Sequence, residues 1–322
     1  MKPVAILGYS LLWYDDFRID RDLPYRKWDA IVGGTKNNGE KQRYDSAYDV
    51  THIRSILGGP PPHRGDSLFI TPQYKDGEWR SARLEGKSAY SCPEGKSLIL
   101  QAEIQVGTAP SDQQAGIWPA FWAMGQSCQR QDGNEKVPWP ECGEWDILET
   151  SDGHDWTLGS IHWGVKNADG NVGKKDFPTE SGDAQVAKYG NKYDHTQSHT
   201  WAIKVDRTKS DWKEETLQCE LLCLPTLPNT RPIQFYVGKP EKGDVANMLC
   251  EVLMDGNQFF VMKGSDVGDE AEWAVLAHQP YFPILNVAVG GNFPKTAGVN
   301  GKTGTGTDTG MEVQYVAFYI SD

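Results

Sequence analysis

Cys142-Gly143-Glu144-Trp145-Asp146-Ile147-Leu148-Glu149-Thr150 is the stretch from which the rest of the chain is read. Three carboxylates at i, i+2 and i+5 alternate with large apolar residues. On a helix of 3.6 residues per turn the two glutamates diverge. On a strand Glu144 and Asp146 share a face, because side chains alternate with period 2, and Glu149 has the wrong parity. One extra residue between Asp146 and Glu149, a β-bulge, returns Glu149 to that face. All three acids then line one surface while Trp145 and an Ile147/Leu148 side chain face a core. The same pattern also fits a half-buried strand with an acidic solvent face.

Two glutamates on one bulged strand suit retaining glycoside hydrolysis, which needs a nucleophile and an acid/base about 5–5.5 Å apart. At about 3.3 Å per residue their Cα atoms lie roughly 13 Å apart. The strand must therefore line a concave face, with both side chains leaning inward. In that chemistry Glu144 is the nucleophile and Glu149 the acid/base. Glu149 has to start protonated, with the charge on Glu144 raising its pKa until Glu144 is esterified. Asp146, between them, is placed to hydrogen-bond Glu144 and hold its orientation.

Gly143-Glu144-Trp145-Asp146-Ile147-Leu148-Glu149 resembles the bulged, laminarinase-like signature of glycoside hydrolase family 16; Trp145 stands where that signature usually has Ile. Gly116-Ile117-Trp118-Pro119-Ala120-Phe121-Trp122 resembles the segment just upstream in that family. Leu285-Asn286-Val287-Ala288-Val289-Gly290-Gly291-Asn292 resembles its late strand. Asn38–Tyr44 and Ser81–Glu85 are weaker matches, and in order and spacing the segments cover most of the chain. The resemblance implies an all-β fold, a jelly-roll sandwich of two antiparallel sheets with an open concave cleft. It also implies endo-attack on β-1,3- or mixed β-1,3/1,4-glucan with retention, and no cofactor. For the sugar-binding side chains it points to Trp118 and Trp122 as platforms, to Arg83 and Asn286, and to His162 as a substrate contact or an orienter of the acid/base; separately, Trp139 sits in the loop 125–141 that enters next to Glu144 and is placed to cap a subsite. Each has a plainer alternative: a tryptophan can be core, Trp139 can pin its loop, His162 can be a structural hydrogen-bonder and Asn286 can cap backbone. Many relatives hold a structural calcium partly through an Asp in the last strand. Gln314 stands in that region here, so calcium is not expected.

The 322 residues are read as one catalytic domain, 1–322, with an insertion around 208–250 that departs from the family pattern. The chain has 34 Gly and 12 Trp, which fit a strand-and-turn protein with an aromatic cleft. No apolar run is long enough to span a bilayer. The formal charge of −12 argues against a nucleic-acid partner, whose phosphates attract basic surface. A neutral β-glucan is indifferent to it, and a monomer is expected. Two rivals use the same scaffold: a cell-wall transglycosylase or hydrolase of another neutral glycan, and a glucan-binding lectin, which would be expected to lose a catalytic acid.

Six cysteines, Cys92, Cys128, Cys142, Cys219, Cys223 and Cys250, suggest disulfides and a secreted protein. Cys128 and Cys142 bracket the loop that feeds the acidic strand and are paired here; the other four stay open. A zinc site from Cys219, Cys223 and Cys250 lacks a Cys-x-x-Cys pair. The opening Met1–Tyr9 is too short and too soon polar for a signal peptide. With the cysteines, it favours a mature secreted chain carrying an added Met over an intracellular one.

A strand and turn are expected at 9–20, and strands at Leu68–Thr71, Ser81–Glu85, Ser97–Val106, Thr157–Gly164, Trp201–Asp206, Ile284–Gly291 and Glu312–Ile320. Residues 165–200 read as loop, Gly58–Pro62 as a rigid surface loop and Asp244–Val252 as a short helix. Thr216–Leu224 is ambiguous between helix and strand.

Overall fold

The computed structural model describes residues 3–17, 26–33, 38–46, 53–55, 67–129, 136–179, 190–222, 257–294 and 298–322. Two eight-stranded sheets face each other. One runs, in spatial order, Val172–Phe177, Trp156–Lys166, Glu144–Glu149, Ile117–Gly125, Tyr281–Val289, Arg83–Gly86 and Trp28–Ala30, with Gly190–Lys192 also paired to Trp156–Lys166. The other runs Asn257–Lys263, Thr216–Leu222, His199–Asp206, Ser97–Val106, Met311–Ser321, Leu68–Ile70 and Ile53–Ser55, with Tyr9–Asp15 also on Met311–Ser321. Pairings within both sheets are antiparallel. This is the expected sandwich.

Period-2 alternation builds the core between the sheets. Leu98, Leu100, Ala102, Ile104 and Val106 point inward from one sheet. Phe121, Trp145, Ile161, Leu285 and Val287 meet them from the other. Burying each large side chain contributes roughly 1.5–3 kcal/mol. Trp118, Ala120, Leu158, Asn286 and Ala288 are also buried but lie outside this core cluster, because they face the opposite side of their sheet.

Several expectations change. Residues 165–200 are not all loop: Val172–Phe177 and Gly190–Lys192 are strands. Val172–Phe177 lies at the edge of its sheet and is exposed over its first four residues, so it carries no hydrophobic alternation to read. The ambiguous Thr216–Leu224 is strand over Thr216–Leu222, with Leu217 and Cys219 buried on one parity. Residues 208–222 therefore belong to the body of the fold, since Thr216–Leu222 sits between His199–Asp206 and Asn257–Lys263. A helix at Glu270–Ala277 was not anticipated, although Asp269 caps its N-terminus by accepting from the Glu272 N–H. Gly58–Pro62, Asp244–Val252, Cys223 and Cys250 lie outside the described residues.

The expected bridge is not formed: Cys128 and Cys142 are both thiols, held by a hydrogen bond between their side chains. Cys92 and Cys219 are buried thiols. Among the described residues no helix is long and apolar enough to cross a membrane.

Candidate active site

Register explains how the three acids come together. Glu144, Asp146 and Glu149 pair with Met124, Trp122 and Ala120 on one side. On the other side they pair with His162, Ser160 and Leu158, and the register shifts between Asp146 and Glu149. That shift is the expected bulge. Trp145, Ile147 and Leu148 are all buried in the core, so both residues of the Ile147/Leu148 pair point away from the acids. Gly143 is required just before Glu144: its φ is +76°, and a Cβ there would meet the Tyr281 hydroxyl at 2.2 Å. The Tyr281 ring stacks on Trp145 with centroids 3.6 Å apart. Trp145 Nε1 donates to the Leu276 carbonyl at 3.0 Å, so the Glu270–Ala277 helix anchors the back of the acidic strand.

In front of the acids lies an open cleft of about 620 Å³. Glu144, Asp146 and Glu149 line its floor with Trp118 and Trp122, and Trp139 and Arg83 also reach it. Asn38, Glu40 and Tyr44 form part of the wall. The resemblance singled out their segment but gave these residues no role.

The electrostatics centre on His162. Its Nε2 lies 3.1 Å from Asp146 Oδ2 and 3.9 Å from Glu144 Oε1, and its Nδ1 lies 2.5 Å from Asp176 Oδ1. Lys174 Nζ reaches Asp176 at 2.7 Å. Burial alone would lower the His162 pKa, but its close contacts with the Asp146 and Asp176 carboxylates outweigh it and raise the value to about 10. Asp176, bonded to His162 and Lys174, is held down at about 2. Burial and then Asp146 push Glu144 up to about 8, against the pull of His162, Arg83 and Lys174. Glu149 is raised well above the usual carboxylate range, by burial first, Asp146 second, and Glu144 only after these. The charge of Glu144 is thus a minor cause, where the sequence made it the main one. The cations cluster at the Glu144 end, so negative charge settles there and the proton stays on Glu149. Asp146 makes its short contact to His162 rather than directly to Glu144.

Glu144, Asp146 and His162 offer three potential metal-ligating atoms within 4.8 Å of one another. Carboxylates engage both His162 nitrogens, which makes the ring an imidazolium with no lone pair for a metal. The trio does not fit a metal centre. Gln314 donates its amide N–H to Ser198 Oγ at 3.3 Å.

The aromatic expectations divide. Trp118 lies in the cleft, but it is only 9% exposed and Phe293 stacks on it with centroids 4.9 Å apart. Its Nε1 donates to Glu149 Oε1 at 3.0 Å, so it orients that carboxyl more than it offers a free platform. The Trp122 ring carries the Arg83 guanidinium 4.6 Å from its centroid, and its Nε1 donates to Asn286 Oδ1 at 2.6 Å. Asn286 is buried and donates in turn to the Tyr44 hydroxyl at 3.2 Å. Its polar atoms serve Trp122 and Tyr44, although it too borders the cleft. Arg83 is paired with Glu85 at 2.7 Å. Trp139 is 46% exposed, with Lys174 Nζ 5.4 Å from its ring centroid.

No protein-family model matches the chain. Over 340 residues, 98% of this chain, it is 21% identical to the glucan endo-1,3-beta-glucosidase A1 of Niallia circulans. It spans 38% and 31% of the length of the curated relatives it matches. Among solved structures, the endo-1,3-beta-glucanase of Streptomyces sioyaensis aligns with a TM-score of 0.68 and 23% identity, over 99% of each chain. The glycoside hydrolase family 16 endo-glucanase of Bacteroides ovatus, in complex with G4G3G-2F-DNP, aligns at 0.58 and 19%, over 96% of this chain and 100% of that one. The fold is that of the family 16 endo-glucanases. Within this family 16 fold, Lys174 and Asp176 are the site residues that sequence reasoning missed. They sit on an exposed polar edge strand, and only the cross-strand register His162↔Asp176 reveals them.

Proposed function

We propose that the chain is a retaining endo-β-glucanase of glycoside hydrolase family 16 type, acting on β-1,3- or mixed β-1,3/1,4-glucan. The observation that carries this reading is the bulged strand, which turns Glu144, Asp146 and Glu149 onto the floor of one open cleft. Strands from both ends of the chain pair with each other, Tyr9–Asp15 with Met311–Ser321, which supports reading it as one catalytic domain.

In the first step a Glu144 oxygen attacks the anomeric carbon. The glycosidic C–O bond breaks, and the leaving oxygen takes the Glu149 proton. An ester to Glu144 remains, and the charge that Glu144 carried is gone. Glu149, now a carboxylate, takes a proton from water as its oxygen attacks the same carbon, and the ester opens with Glu144 as leaving group. The His162 imidazolium lies beside Asp146 and Glu144 and supplies positive charge at the nucleophile. Trp118 holds Glu149. The sugar being attacked lies over the acids, and Trp122 and Arg83 border the cleft beside it. No cofactor enters these steps.

The protein is read as secreted and monomeric, with Cys128 and Cys142 as the pair that bridges in an oxidising medium; their thiol contact supports the pairing. The test is incubation with laminarin, lichenan, xyloglucan and β-galactan, reading product lengths. Short oligosaccharides from the first two support the proposal. Products longer than the starting chains would make transfer the main reaction, and cleavage of β-galactan alone would overturn the substrate.

A further inference from the structure

Past Glu149 a second group of aromatic rings adjoins the cleft through Trp118, which lines it. On the neighbouring strand His162, Ser160 and Leu158 pair with Glu144, Asp146 and Glu149 and therefore share their face. Trp156, two residues beyond Leu158, has the same parity. It stands past Glu149 on the side away from Glu144. Phe293, from the segment after Tyr281–Val289, joins this ring to the cleft. It stacks on Trp118, and its centroid is 6.3 Å from that of Trp156, edge to face. His154 stacks on Trp156 with centroids 5.0 Å apart and planes 21° apart, backing the indole. Trp156, Phe293 and His154 are all partly exposed, unlike the core aromatics Trp145 and Trp201. Trp118, at the head of the row, donates its N–H to Glu149.

We propose that Trp156 and Phe293, backed by His154, form a platform for pyranose rings on the leaving-group side of the bond under attack, and that the same platform seats a sugar acceptor. The inference rests on the glucanase reading, in which Glu149 protonates the leaving oxygen. Rings lying past Glu149 and away from Glu144 then abut the departing chain. The occupant is a neutral β-linked glycan, because aromatic faces take the axial C–H groups of a pyranose and the row itself carries no fixed charge. Water and a sugar reach the Glu144 ester from this same side. The platform therefore also sets how often a sugar wins over water.

The test compares two substrate types in wild type, Trp156→Ala and Trp156→Tyr. A nitrophenyl β-laminaribioside has no sugar past the cleaved bond, whereas a laminarin oligosaccharide of six or more residues has. Wild type must first cleave the oligosaccharide; failure there sinks the glucanase reading before any variant is made. For Trp156→Ala, the loss in kcat/KM on the oligosaccharide should exceed that on the aryl glycoside about tenfold. The yield of transfer products should drop with it, and Trp156→Tyr should recover most of both. An equal loss on the two substrates, with a lowered melting temperature, would make Trp156 a loop anchor and overturn the proposal. So would an unchanged oligosaccharide rate, or a larger loss on the aryl glycoside, which would put the row on the other side of the bond.

Discussion

Two strands of one sheet supply carboxylates to the same histidine, and they treat them in opposite ways. Glu144–Glu149 lies inside the sheet, flanked by Ile117–Gly125 and Trp156–Lys166. Val172–Phe177 is at the edge, open to solvent over most of its length. Burial on the inner strand pushes Glu144 up to about 8 and Glu149 higher than any ordinary carboxylate. On the edge strand His162 and Lys174 hold Asp176 at about 2. Position in the sheet thus divides the labour. The inner glutamates are poised to exchange protons, and the edge acid is a fixed anion that keeps His162 charged. The arrangement suits catalysis more than stability, since it gathers three acids where water cannot fully solvate them.

The sharpest way to break this contrast is to remove an inner charge. Glu144→Gln should lower turnover by several powers of ten. It should also stabilise the fold. The Glu144 pKa is raised on folding, so its ionisation costs stability progressively as pH climbs from about 4.5 to about 8. At pH 8 the variant should be more stable than wild type by about 2–4 kcal/mol, and the gain should vanish near pH 4. More than a few percent residual activity would remove Glu144 from the nucleophile's role.

Next comes the outer charge. Asp176→Asn removes a partner that raises the His162 pKa, so His162 loses its proton at lower pH and Glu144 loses a cation 3.9 Å away. The Glu144 pKa then rises, and the acid limb of the kcat/KM profile should move to higher pH, with roughly a tenfold loss near its old midpoint. Asp176→Glu should restore the limb. A uniform loss at every pH would mean that Asp176 only packs the edge.

A smaller change separates the two glutamates. Trp118→Phe keeps the ring against Phe293 but deletes the donor to Glu149. That hydrogen bond lowers the Glu149 pKa. The basic limb should therefore shift to higher pH, with kcat down about threefold to tenfold. A shift of the acid limb instead would exchange the roles of the two glutamates. Smallest of all, Trp139→Ala should raise KM about twofold to fivefold and leave kcat alone, because a ring 46% exposed at the cleft rim contributes little beyond contact.

The same contrast explains what could be read in advance. The inner strand announces itself, since apolar residues on one face and acids on the other leave few arrangements, and Ser97–Val106 reads as cleanly for the same reason. Glu144, Asp146, Glu149 and His162 are brought together as their spacing and the family resemblance implied. Val172–Phe177 shows no pattern because one side of it is solvent, so nothing in the sequence marks Lys174 and Asp176 as strand. The Glu270–Ala277 helix did carry a signal, Asp269 with Glu272 three residues on, the start of a capped helix. Local pattern also cannot tell which atoms a polar group spends on its neighbours. Trp118 and Asn286 lie in the cleft as expected, yet their hydrogen bonds go to Glu149, Trp122 and Tyr44.

A mechanism-based label traps the covalent intermediate expected on Glu144. A 2-deoxy-2-fluoro laminaribioside with a dinitrophenyl leaving group needs little protonation to react, and its fluorine slows release of the ester. Mass spectrometry of the peptic digest should show one glycosyl adduct, on the peptide containing Glu144, and the adduct should disappear in Glu144→Gln. An adduct on Glu149, or steady turnover of natural glucan to the inverted anomer with no adduct at all, would contradict the account.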